Sequence, residues 1–264
     1  MTDANPNPSE RFADFGDGFH HLRGTLRVGG VLNVGTHCAL VELPSGKFVF
    51  LDSYTLPDAV RPQVDQLTDG GSKVAAIINL HPFHTLHIEW MHRAFPNAAL
   101  YGTRRHIEKF HILPWESELC EDGLPDEVTE GAIEFSTPRG VDLVCEKEDT
   151  HFGSVLAYHP ASGTIYVDDT LSRLDLPWPL SLMPMNQRLD FHPTLASALK
   201  KQPGAAAAFR EWAIDLGVEW HEARRIATAH NSTMALGPEV FPEKIGAALA
   251  RVKPVLDRHR DRYG

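Results

Sequence analysis

The chain has 264 residues with 25 Lys and Arg against 35 Asp and Glu, a net charge of −10. That balance, with no basic run, excludes a protein built to grip phosphate backbones or an anionic membrane, so neither nucleic acid nor a membrane is an expected partner. Apolar residues at 42% fit a globular chain with a sizeable core. Cys38, Cys120 and Cys145 are too few and too scattered for a disulfide framework or a thiolate zinc site. The 15 histidines are the unusual component.

Residues 1–15 read as a disordered polar tail without the apolar core of a secretory signal, and no apolar run reaches the roughly 18 residues needed to span a bilayer. The expected location is therefore cytoplasmic, with residues 16–264 forming one domain. From Phe19 to Leu51 the alternation predicts a β-meander, with a hairpin turning at Pro44-Ser45-Gly46. Leu56–Thr68 carries a helical pattern. Val74–Leu80 is a continuous apolar run, the signature of a strand buried on both faces. A helix over Thr85–Phe95 and a strand at Ala99–Gly102 follow.

The second half repeats the alternation. Strands are predicted at Ile133–Ser136, Val141–Cys145, Ser154–His159 and Gly163–Asp169, with a turn at Pro160–Gly163. Ala205–Leu216 forms a helix with Phe209, Trp212, Ala213 and Leu216 on one stripe. Arg225–Ala229 is a strand, and Glu243–His259 an amphipathic helix. Two strand-rich halves, each with helices, imply two mixed sheets packed face to face with helices outside, an αββα sandwich of the α/β (α+β) class.

Chemistry gathers where predicted strands end. Asn79-Leu80-His81-Pro82-Phe83-His84-Thr85-Leu86-His87 leaves the buried strand, where ligands sit on rigid support. His81 falls on the strand-to-helix turn, His84 in the first helical turn and His87 one turn on. Three imidazoles at this spacing point to a metal or catalytic role. A second strand ends in Asp168-Asp169, carboxylates that backbone pairing would fix around a divalent cation. A third ends in His230.

In this order the features resemble the metallo-β-lactamase fold superfamily. Its pattern is a strand ending in H-x-H-x-D-H, a later G-H-T-x-G-S loop, a strand ending in G-D and a final strand ending in His. The resemblance spans residues 19–260, with Asp52 where the family commonly has D-x-G. It departs at four places: Asn79 replaces the first His, Phe83 the Asp, Thr150 the loop His (with His151 one place off) and Asp168 the Gly. The resemblance implies metal ligands at His81, His84, Asp169 and His230, and a reduced site for one divalent ion, Zn²⁺ or Fe²⁺. His87 or His151 could replace a lost ligand, and Asp168 and His151 are the candidate general bases. The implied function is a hydrolase with one metal acting on a small molecule. Two alternatives stand beside it: a mononuclear iron enzyme of oxygen or sulfur chemistry, and a metal-free binding protein. The apolar, proline-stiffened segment Leu174–His192 is a candidate pocket wall or homodimer interface.

Overall fold

The computed structural model describes residues 12–24, 27–28, 32–33, 35–145, 151–173, 188–229 and 232–264. The chain divides into two compact units: Met1–Leu80 with His84–Ile133, and His81–Phe83 with Glu134–Gly264.

The first unit is built on a seven-stranded mixed sheet. β1 (Phe12–Asp14), β2 (Phe19–Gly24), β5 (Thr36–Glu42) and β6 (Phe48–Leu51) are antiparallel. β6 then continues through β7 (Val74–Ile78), β8 (Ala99–Gly102) and β9 (Trp115–Leu119) in parallel. β3 (Arg27–Val28) and β4 (Leu32–Asn33) pair only with each other. The polar tail was expected to run to residue 15, but Phe12–Asp14 is a strand, with Phe12 stacked on the His20 ring at 5.3 Å. The predicted hairpin turns at Pro44–Gly46, with Gly46 at φ +76°. β7 lies between two parallel neighbours, which is why its apolar run does not alternate. Around it pack Leu22, Leu40, Phe50, Ile77, Met91 and Leu100.

Two helices cover part of this core. α1 (Arg61–Thr68) begins with Pro62 in its first turn and ends at Asp69 in the left-handed region. α2 (Ile88–Ala94) buries Ile88 and Met91, and Phe95 just beyond it meets the Phe50 ring at 5.1 Å. The predicted helix began at Thr85, three residues too early. The Thr85 hydroxyl takes the Lys109 ammonium at 2.8 Å, and His87 Nδ1 bonds the Thr55 hydroxyl at 2.9 Å. These ties hold the would-be first turn open, so His84 lies in an irregular stretch between two turns and His87 is the N-cap. The short helices α3 (Arg104–Lys109) and α4 (Asp126–Thr129) complete the unit, and α3 opens with the buried His106 ring accepting the Thr103 N–H at 3.0 Å.

The second unit carries a five-stranded mixed sheet ordered β10 (Glu134–Ser136), β11 (Leu156–His159), β12 (Thr164–Val167), β15 (Arg225–Thr228) and β16 (Ser232–Ala235). Only β12 and β15 are parallel. β13 (Leu171–Arg173) and β14 (Leu189–Phe191) pair antiparallel in a separate two-stranded sheet. After the single turn of α5 (Leu195–Ala198), α6 (Ala205–Glu219) buries the predicted stripe of Phe209, Trp212, Ala213 and Leu216. The Trp212 and Trp220 indoles donate to Ser136 and Glu134 at 2.9 Å, tying this region to β10. α7 (Val240–Tyr263) packs Phe241, Ile245, Leu249 and Leu256 into the same core.

Val141–Cys145 is not the predicted strand. Val141 forms one isolated bridge to Leu199, while the Gly140 carbonyl accepts from Lys200 and the Asp142 N–H donates to Ala198. The segment is stitched to the end of α5 instead of to the sheet. Gly140 stands at φ +75°, and a Cβ there would lie 2.1 Å from the Ala205 carbonyl oxygen. No helix among the described residues is long and apolar enough to cross a membrane.

Candidate metal centre

Each half of the site motif is fixed by backbone pairing next to it. In the first unit, Asp52 follows β6 with φ +58°, conformational strain for a residue with a Cβ. Its N–H donates to Ile78, and its Oδ1 accepts the Leu80 N–H at 2.8 Å. The neighbouring Asn79 is tied at both ends of its amide: Oδ1 accepts the Ser53 hydroxyl at 2.7 Å and Nδ2 donates to the Tyr101 carbonyl at 3.0 Å. It is a post for the chain leaving β7, which is where its amide groups are spent. Asp52 also adds to the effect of burial in holding the thiols of Cys38 and Cys120 well above their usual range.

In the second unit, His81, His151 and Asp169 come together, with one donor atom from each within 4.8 Å of the others. His81 is 0% and Asp169 4% exposed at the side chain, while His151 is 43% exposed. His81 Nε2 lies 3.0 Å and His151 Nδ1 3.9 Å from Asp169 Oδ2. His81 Nδ1 accepts the Phe83 N–H at 3.2 Å, so the proton of a neutral ring sits on Nε2, toward Asp169. Phe83 stands where the resembled motif has a carboxylate, and its ring stacks on His151 with centroids 4.5 Å apart. It orients that imidazole and offers no ligand atom.

Three threonine-centred ties, which carried no signal in the sequence, hold the loop and the strand end in register. Thr170, directly after Asp169, donates to the Phe152 carbonyl at 3.0 Å and accepts the Ser154 N–H at 3.1 Å. Thr194 donates to the His151 carbonyl at 2.8 Å. Thr170→Val is expected to strand the buried Ser154 N–H and to cost about 1–3 kcal/mol of stability, read by chemical denaturation.

The remaining predicted residues fall elsewhere. Asp168 is buried at the end of β12. His84 belongs to the first unit. His87, also in that unit, has its affinity for a proton lowered by burial and then by His84. Its bond to Thr55 occupies one ring nitrogen. His230, Thr150 and most of the Leu174–His192 segment lie outside the described residues. His20, His21 and His159, read as packing groups, are buried strand residues, and His21 Nε2 meets His37 Nδ1 at 3.1 Å.

No protein-family profile matches the sequence, and no curated protein matches it. The fold has clear counterparts among solved structures. The FIM-1 metallo-β-lactamase from Pseudomonas aeruginosa, in its mono-zinc form, aligns over 91% of this chain and 95% of its own, with a TM-score of 0.58 and 11% identity. The DIM-1 metallo-β-lactamase exposed to ceftazidime aligns over 90% and 97%, with a TM-score of 0.57 and 14% identity. A metallo-β-lactamase from Erythrobacter litoralis aligns over 90% and 92%, with a TM-score of 0.56 and 12% identity. Two mixed sheets with their helices, matched over nine-tenths of the chain at identities this low, define the fold alone: it is the mixed α/β fold of the metallo-β-lactamases it aligns with.

Proposed function

We propose that the chain is a metal-dependent hydrolase with one divalent ion, held by His81, His151 and Asp169. The observation that carries this reading is the convergence of two imidazoles and a carboxylate, two of them buried and the third open to solvent. Donor atoms of a tetrahedral ion with bonds of about 2.0–2.1 Å stand roughly 3.3 Å apart. The separations of 3.0 and 3.9 Å from Asp169 bracket that value. An ion on His81 Nε2 requires the other tautomer and so costs the Phe83 amide contact. That loss is about 0.5–1.5 kcal/mol, small beside the ~10 kcal/mol or more of a protein zinc site. The mono-zinc form of the FIM-1 structure supports a single ion on this fold.

A divalent ion there would lower the pKa of a bound water toward ~7 and polarise a carbonyl or phosphoryl group. The chain's own residues do the rest. His151, half-exposed, marks the side open to a substrate. The Phe83 ring excludes water from the face of His151 that it covers. The same donor set, two His and one carboxylate, also suits Fe²⁺.

A second reading follows from the His81 ring, whose two nitrogens both face protein groups. That is the arrangement of a metal-free binding protein in which His81 and Asp169 form a buried dyad. Elemental analysis of untagged protein purified without chelator separates the two. About one equivalent of zinc or iron is the expected result, and the identity of the metal selects hydrolysis or oxygen chemistry. Protein that holds no ion, and takes up none on dialysis against either metal, overturns the hydrolase reading in favour of the dyad.

A further inference from the structure

The second unit contains a cavity of about 790 Å³ that includes none of the three proposed metal ligands. That volume is within the range of small-molecule sites. It lies against the last turns of α7 and the end of α5, and Arg258, Arg262 and Lys201 line it. Arg258 and Arg262 are one helical turn apart, and neither forms an ion pair among the described residues. Asp142 and Asp261 also line the cavity, and Asp261 is already engaged with Arg260 at 3.6 Å. Cations near a helix C-terminus offset its dipole without needing any ligand. The dipole does not account for His259.

His259 is 8% exposed and lines the same cavity. Its Nε2 lies 2.8 Å from the Lys200 carbonyl, which can only accept, so the ring proton is on Nε2. Nδ1 is then a buried lone pair, and it has no hydrogen-bond partner among the described residues. A buried acceptor left unmet costs about 1–3 kcal/mol, so the site calls for a donor. The guanidinium pair calls for an anion.

We propose that this cavity binds a small hydroxylated organic anion, its charge on Arg258 and Arg262 and its hydroxyl donating to His259 Nδ1. The chemistry is shared by phosphate monoesters and hydroxycarboxylates, and the test distinguishes them. Isothermal titration of the full chain would use glycerol 3-phosphate, glycerate and inorganic phosphate. Saturable binding of at least one hydroxylated anion, about tenfold or more tighter than inorganic phosphate, is the expected result. The better of the ester and the acid names the anionic group. The Arg258→Ala/Arg262→Ala double variant should weaken all binding about tenfold or more, since both side chains are exposed and their loss leaves the core untouched. His259→Phe keeps a ring against Tyr263 and removes both ring nitrogens, the Nδ1 acceptor included. It should abolish the preference for hydroxylated anions while leaving the affinity for inorganic phosphate unchanged. No saturable binding at about 10 mM, or binding indifferent to the double variant, overturns the proposal. Binding that ignores His259→Phe overturns the assigned role of Nδ1.

Discussion

Asp169→Ala is expected to reduce the ion content of the purified protein to under about a tenth of an equivalent, with an affinity loss of about 100-fold or more. Asp169 is the common partner of both histidines, at 3.0 Å from His81 and 3.9 Å from His151, so its removal takes the only carboxylate from the cluster and leaves two imidazoles. The same change also leaves the His81 Nε2–H without the carboxylate it faces, in a position with no access to water. A stability loss of about 1–3 kcal/mol should accompany it. The two readouts separate the two functional readings. Elemental analysis falls only if an ion was there, whereas denaturation midpoints fall in either case. A variant that keeps a full equivalent of metal would remove Asp169 from the ligand set.

Gly140→Ala is expected to destabilise the chain by about 2–4 kcal/mol, lowering Tm by roughly 6–12 °C for a protein of this size. Two penalties coincide there. The backbone is in the left-handed region at φ +75°, and the new methyl would sit 2.1 Å from the Ala205 carbonyl oxygen at the start of α6. Gly204 is the matched control in the same unit, with φ +77° and nothing within 4 Å of a built Cβ. Gly204→Ala carries the conformational penalty alone, about 1 kcal/mol. Calorimetry that finds equal losses at the two positions would show that Ala205 and its helix give way freely.

The legible parts of this fold were those set by local pattern. β7 shows as an apolar run because parallel neighbours bury both its faces, and α6 shows as a stripe because one face of it meets the core. What failed was set by distant partners. Val141–Cys145 has the composition of a strand, yet its polar backbone is claimed by residues 198–200. The helix after His81 starts late because Thr55 and Lys109, remote in sequence, tie down His87 and Thr85.

The candidate site divides in the same way. His81 and Asp169 were readable because both follow buried strands and carry ligand chemistry. Asn79 was readable as a departure from the motif, but its role was not. Which of its atoms remain for chemistry depends on Ser53 and Tyr101, which only the folded sheet brings near. His151, one place off the expected register, reaches Asp169 nonetheless, and the threonines that seat it have no sequence signature.

The parallel pairing of β12 with β15 has a kinetic consequence. Thr164 aligns with Arg225, 61 residues further on, and Asp169 lies just past the end of β12. Closing a loop of that length precedes any gain from the strand contacts it allows, which makes such pairing slow to form. The carboxylate is therefore expected to reach its final surroundings late on the folding route, once β15 has joined β12. An ion at the proposed site would arrive at a finished scaffold and would not nucleate it. Its stabilising effect should appear as slower unfolding, with the rate of folding left nearly unchanged.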